Sequence, residues 1–217
     1  SGAYGGFALI DSYTLPRQPY IGFSGRTGGA TNNHWAREIY WSKPGAGDRI
    51  AAITGITTNH VDGNGNCRSD GTGCYTTGVL TQSSDLRYYG DRNYFMTELP
   101  DFLAGMNFIR TANDDKRADE NDATFLCFTI DADATVYVLY DSRAGSQPPW
   151  LTSAYADKHE QAAIHTDTNM ADGFEIYYAE QSAGEICMGG NGNRGAGSNY
   201  IVVVGPPGVQ PPKIVIP

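Results

Sequence analysis

The run Thr124 to Ala144, TFLCFTIDADATVYVLYDSRA, constrains the fold more than any other part of the chain. Two segments rich in Phe, Val, Ile, Tyr and Thr flank the polar triplet Asp131-Ala132-Asp133, the pattern of an antiparallel hairpin. Side chains alternate along a strand, so in the second segment Val136, Val138 and Tyr140 share one face and Tyr137 and Leu139 the other. Both faces are apolar. Such a strand belongs in the middle of a sheet with material packed over it, which predicts an all-β fold: an antiparallel β-sandwich, jelly-roll or immunoglobulin-like.

The rest of the 217 residues supports this class, with 27 Gly and 14 Tyr pointing to short strands joined by tight turns. Residues 1–85 read as a smaller, turn-rich β region, with candidate strands at 7–13, 37–42, 50–58 and 74–82 separated by Gly, Pro and Asn clusters. Residues 86–205 read as the sandwich module, with candidate strands at 94–99, 107–112, 174–181, 185–188 and 200–204 besides the hairpin. The helix-tolerant stretch is 155–163. Residues 206–217 form a Pro-rich linker and an extended C-terminal strand.

A formal net charge of -9 argues against phosphate-driven binding of nucleic acid, which needs a basic surface. No run approaches the ~18 apolar residues of a membrane helix, so no membrane insertion is expected.

Cys67 and Cys74 bracket the polar loop CRSDGTGC, where a bridge would contribute about 2.5 kcal/mol in the chain-entropy model. Cys127 and Cys187 lie in strand-like runs, FLCF and EICM, and either pair across neighbouring strands or stay buried as small apolar residues. Zinc is disfavoured by the absence of CxxC and of His at ligand spacing. In the loop before Cys74, Asp62, Asn64, Asn66 and Asp70 resemble the opening of a D-x-N-x-N calcium loop. The match breaks at Cys67, where such a loop wants Gly, and at Gly73, where it wants a bidentate Glu. Asp, Asn and Gly also simply make turns, so a plain stapled loop competes with calcium, the one cofactor the sequence raises.

Several motifs stand in fixed order: GDRNYFMTELPDFL at 90–103, FIRTANDDK at 108–116, VYVLYDSRA at 136–144, PPWL at 148–151, FEIY at 174–177 and AGEICMGGN at 183–191. Over 86–204 the chain thereby resembles a family of β-sandwich modules from multi-domain secreted microbial proteins, often ones that also carry polysaccharide-degrading domains. The resemblance implies an extracellular, non-catalytic module.

No nucleophile elbow, His-Glu zinc helix or Cys-His pair is present, and His34, His60, His159 and His165 are scattered, so no catalytic residue is assigned. Paired acids drawn from distant strands stay open. TANDDK and YDSR gather charges at strand ends, where Asp114 and Asp115 set a turn and a carboxylate pairs with Lys116 or Arg143. Gly190, Gly192 and Gly195 have G-x-G-x-x-G spacing, but a strand rather than a helix follows, which makes a glycine-rich hairpin loop. Trp35, Trp41 and Trp150 are candidate sugar platforms, Trp150 first because Pro148 and Pro149 hold the chain extended there. The tail carries Lys213, Ile214, Val215 and Ile216, apolar and strand-prone beyond a stiff spacer. This predicts strand addition to another copy of the chain and head-to-tail filaments outside the cell. The alternative is a carbohydrate-binding module whose partner is a polysaccharide.

Overall fold

β5, Ala134–Asp141, is buried at every position, as a strand apolar on both faces must be. The computed structural model describes residues 49–59, 74–81, 86–96, 99–162, 173–195 and 197–208, with backbone alone over 157–162. The chain divides into two units, Ser1–Ile39 and Tyr40–Pro217, and every described residue belongs to the second. Its strands are β1 (Ile53–Thr58), β2 (Thr76–Val79), β3 (Asn107–Arg110), β4 (Leu126–Ile130), β5, β6 (Ala156–Ala162), β7 (Phe174–Gln181), β8 (Gly184–Met188) and β9 (Ile201–Gly205). They form a three-stranded sheet, β1-β4-β8, and a six-stranded sheet, β2-β3-β9-β5-β7-β6, with antiparallel neighbours throughout. The all-β sandwich is the observed class.

The expected hairpin does not form. β4 pairs with β1 and β8, whereas β5 pairs with β9 and β7 in the other sheet, so Asp131-Ala132-Asp133 is an arch between layers. The reason lies in the alternation of β4. Leu126, Phe128 and Ile130 point into the core that also receives Val136, Val138 and Tyr140, while Thr129 on the opposite face is partly exposed. A strand with one wet face fits the outer sheet and not a place beside β5.

The second face of β5 is covered by chain rather than by a sheet. Tyr137 and Leu139 pack with Phe108, Ile176, Ile201 and Val203 beneath Tyr88, Tyr89, Met96, Leu99, Leu103 and Met106. The segments 86–96 and 99–106 therefore form a third, irregular layer. Of the strand expected at 94–99, the described residues hold isolated bridges at Phe95 and Met96, Phe95 lying opposite Arg87.

Two further expectations change. β1 and β2 pair with β4 and β3, so the sandwich recruits strands from before residue 85 and the boundary placed there divides one core. Residues 156–162 are strand β6, and α1 (Pro149–Ala154), the one α-helical turn among the described residues, lies just upstream. Proline suits the first turn of a helix because its missing N–H would have no partner there.

Candidate functional site

Strand directions bring most of the sequence motifs to one end of the sandwich. The segments 111–125, 141–155 and 189–200 all lie where β3, β5 and β8 finish and β4 and β9 begin. The linker leaves from the opposite end, after Gly205.

At the motif-bearing end, Asp91 reaches across 22 residues to accept the N–H of Asn113 at 2.7 Å, and its other oxygen accepts the N–H of Asp114 at 3.0 Å. It thereby caps the 3-10 turn Asn113–Arg117, which has no side-chain cap of its own. Arg92 answers this charge, contacting Asp91 at 3.5 Å and Asp114 more closely. The Asp141 carboxylate is buried and accepts from Arg143 Nε at 2.9 Å and Nη2 at 2.6 Å, a bidentate pair that holds the guanidinium more firmly protonated than usual. Arg143 Nη2 also donates to Ser198 Oγ at 3.1 Å.

Asn199 docks the 189–200 loop onto the 3-10 turn. Its N–H donates to Asn113 Oδ1 at 3.2 Å, and its amide donates to the Ala112 carbonyl at 2.9 Å. Tyr200 is wholly buried and donates its hydroxyl to the Gly189 carbonyl at 2.9 Å. Burial, followed by the neighbouring Tyr155 phenol and the Asp115 and Asp122 carboxylates, pushes its hydroxyl well above the usual phenol range. Tyr75 behaves alike and donates to Asp115 at 2.7 Å. Gly192 and Asn193, both at positive φ, fold the loop against the Ala118 and Lys116 carbonyls. The loop joins β8 to β9 and so passes between sheets, a crossing rather than the expected hairpin.

Chemically this arrangement is a brace. Asp91, Asp114, Asp115 and Asp141 all hold hydrogen bonds within it, and the expected turn role of Asp114 and pairing of Arg143 are found. Among the described residues no group of three or more His, Cys, Asp or Glu is placed to hold a metal ion. Asp91, Arg92 and Asn199 are not singled out by the sequence. The polar run GDRN set between YY and YF was the available signal, since polar residues amid buried aromatics need partners.

Trp150 is half-buried rather than exposed. Its Nε1 donates to the Gly190 carbonyl at 2.9 Å, and its ring meets Tyr200 and Tyr155 edge-on at 5.3 and 6.2 Å. A single β-carbon on Gly189 would come within 2.5 Å of the indole, so the pair is closely fitted. Trp35 and Trp41 lie outside the described residues, as do Asp62, Asn64, Asn66, Asp70 and the tail Lys213, Ile214, Val215 and Ile216. Among the described residues the one large hydrophobic side chain standing exposed is Val79. Cys127 and Cys187 are disulfide-bonded to each other across directly paired positions of β4 and β8. Cys74 is also oxidised, and its expected partner Cys67 lies outside the described residues.

No protein-family model matches the sequence, and no curated protein is similar to it. Solved structures do match. A β-glucuronidase from glycoside hydrolase family 2 superposes with a TM-score of 0.52 at 24% identity, covering 62% of this chain and 14% of that one. A GH138 enzyme targeting pectin rhamnogalacturonan II gives a TM-score of 0.45 at 14% identity over 72% of this chain and 16% of that one. The chain thus spans a small fraction of the length of either enzyme. The first likeness establishes a shared sandwich fold.

Proposed function

We propose that the chain is a non-catalytic β-sandwich module of an extracellular, polysaccharide-associated protein. The observation that carries this reading is the size of the stretch it resembles. The fold matches a piece amounting to 14% of a glycoside hydrolase family 2 β-glucuronidase, the scale of one domain of a larger enzyme. The Cys127–Cys187 bridge is compatible with an oxidising compartment, where such bonds persist. The brace at the motif-bearing end supports an accessory role, because its carboxylates are engaged by arginine, tyrosine and backbone donors. Filament formation rests on Lys213–Ile216, outside the described residues, and no described feature supports it.

Native gel electrophoresis through matrices cast with neutral and acidic polysaccharides tests the reading. The expected result is retardation in at least one matrix with no release of sugar from that polymer or from aryl glycosides. Unretarded migration in every matrix would overturn the reading, as would polymer cleavage.

A further inference from the structure

Ser146 and Gln147, consecutive residues in the segment after β5, join two hydrogen-bonded groups at the motif-bearing end. On one side Arg194 Nη1 donates to Ser146 Oγ at 2.8 Å, and its Nε donates to Glu120 Oε2. On the other, Gln147 Nε2 donates to Glu175 Oε2 at 3.1 Å, and the Tyr177 hydroxyl donates to the same oxygen at 3.1 Å. The backbones are tied as well, since the Gly145 N–H donates to the Arg194 carbonyl at 3.0 Å. Glu175 stands opposite Tyr140 in the β5–β7 register, so the two side chains share a face. That face is the core side, where the Tyr140 and Tyr177 rings meet edge-on at 6.5 Å.

Several hydrogen-bonding positions of this row stay open. Oε1 of Glu175, of Glu120 and of Gln147, and Nη2 of Arg194, have no partner among the described residues. Ser146 is exposed and the other four residues are half-buried, so water reaches the row. Its charges are not balanced. Arg194 answers Glu120, whereas Glu175 is met by an amide and a phenol and by no cation among the described residues.

We infer that Ser146, Gln147, Glu175 and Arg194 form a binding site for the hydroxyl groups of a neutral polysaccharide. It rests on the module reading above and names its ligand class. A sugar hydroxyl both donates and accepts, and the row offers acceptor oxygens on Glu175 and Gln147 beside donors on Ser146 and Arg194. A hydroxyl on the Glu175 carboxylate makes a bond of the strong, charge-assisted kind. Because these side chains already hold one another, little rotamer freedom is left to lose on binding. Other ligand classes fit worse. A uronate or phosphate would meet the unanswered charge of Glu175, and an apolar ligand would leave the row's donors and acceptors unpaired.

The test runs the intact chain through gels cast with galactomannan, xyloglucan, a linear β-glucan and polygalacturonate, reading apparent affinity from retardation against polymer concentration. Retardation should be greatest in one of the neutral polymers and weak in polygalacturonate. In Gln147→Ala/Glu175→Ala the affinity should fall on the order of tenfold, and in Gln147→Ala alone about threefold. Thermal melts establish that each variant is folded, and Gln147→Ala decides by itself if the double variant is not. An unchanged affinity in folded Gln147→Ala, or stronger retardation by polygalacturonate than by every neutral polymer, overturns this site and leaves the module reading standing. Free migration in every gel overturns both.

Discussion

The Asp133 carboxylate accepts the backbone N–H of Ala183 at 3.0 Å, joining two chain crossings 50 residues apart. Ile130 faces Gly184 in the small sheet and Ala134 faces Gln181 in the large one, so the connections 131–133 and 182–183 run side by side between layers. Asp131 fixes the same edge by accepting the Ala52 N–H at 2.8 Å. The two aspartates read as a hairpin turn therefore tether an arch.

Asp133→Ala should lower the unfolding free energy by about 1 kcal/mol, the usual net contribution of one such hydrogen bond. Asp133→Asn keeps an acceptor oxygen and should lose less. Urea unfolding reads this as a lower midpoint at unchanged slope. An alanine variant matching the parent would show that the crossing is held by its strands alone.

Trp150, a candidate sugar platform in the sequence, is half-buried in the structure and bonded to the 189–200 loop. As a brace, Trp150→Phe loses the bond to the Gly190 carbonyl and should cost about 1–2 kcal/mol. Trp150→Ala also leaves space beside Tyr200 and should cost about 3 kcal/mol. Gel retardation by polysaccharide, compared at equal folded fraction, should be unchanged in Trp150→Phe. Full stability with lost retardation would restore the indole as a sugar contact.

The Cys127–Cys187 bridge closes a loop of 60 residues in sequence. The chain-entropy model gives such a closure about 4 kcal/mol. Because β4 and β8 already pair at these positions, Cys127→Ala/Cys187→Ala should keep the fold and melt at lower temperature. Matching far-ultraviolet circular dichroism below the melt with a reduced midpoint is the expected outcome. A variant unfolded from the start would mean that the sheet depends on the bond to form.

β5 was legible because a strand apolar on both faces has one kind of place to go. The bounds of β7 are those expected, since FEIYYAEQ lies between a glycine and a polar turn. The partner of β4 was not legible. Asp131-Ala132-Asp133 is compatible with a hairpin or an arch, and the choice depends on which sheet can accept Thr129, a matter of distant pairing. The brace was half legible for a related reason. TANDDK and YDSR announced charge, but the Asp91 cap comes from 22 residues away, and local spacing does not encode that reach. Gln147 and Glu175, 28 residues apart, likewise meet only through the fold.

Buried phenols set the alkaline limit of the fold. Burial raises Tyr75, Tyr89 and Tyr200 well above the ordinary tyrosine value, with nearby carboxylates adding to it, and raises Tyr140 to about 12 against the pull of Arg194. In the unfolded chain these groups titrate near ~10. With the folded value above the unfolded one, the stability they contribute is fully present below pH ~10. As pH rises further the unfolded state loses protons first, and stability falls by about 1.4 kcal/mol per pH unit for each such tyrosine until the folded value is reached. The expected observation is a late rise in phenolate absorbance that coincides with loss of circular dichroism, because these hydroxyls ionise only when the core opens. Phenolate signal from the whole tyrosine set at pH ~10 with the dichroism intact would contradict the burial of Tyr75 and Tyr200 behind the brace.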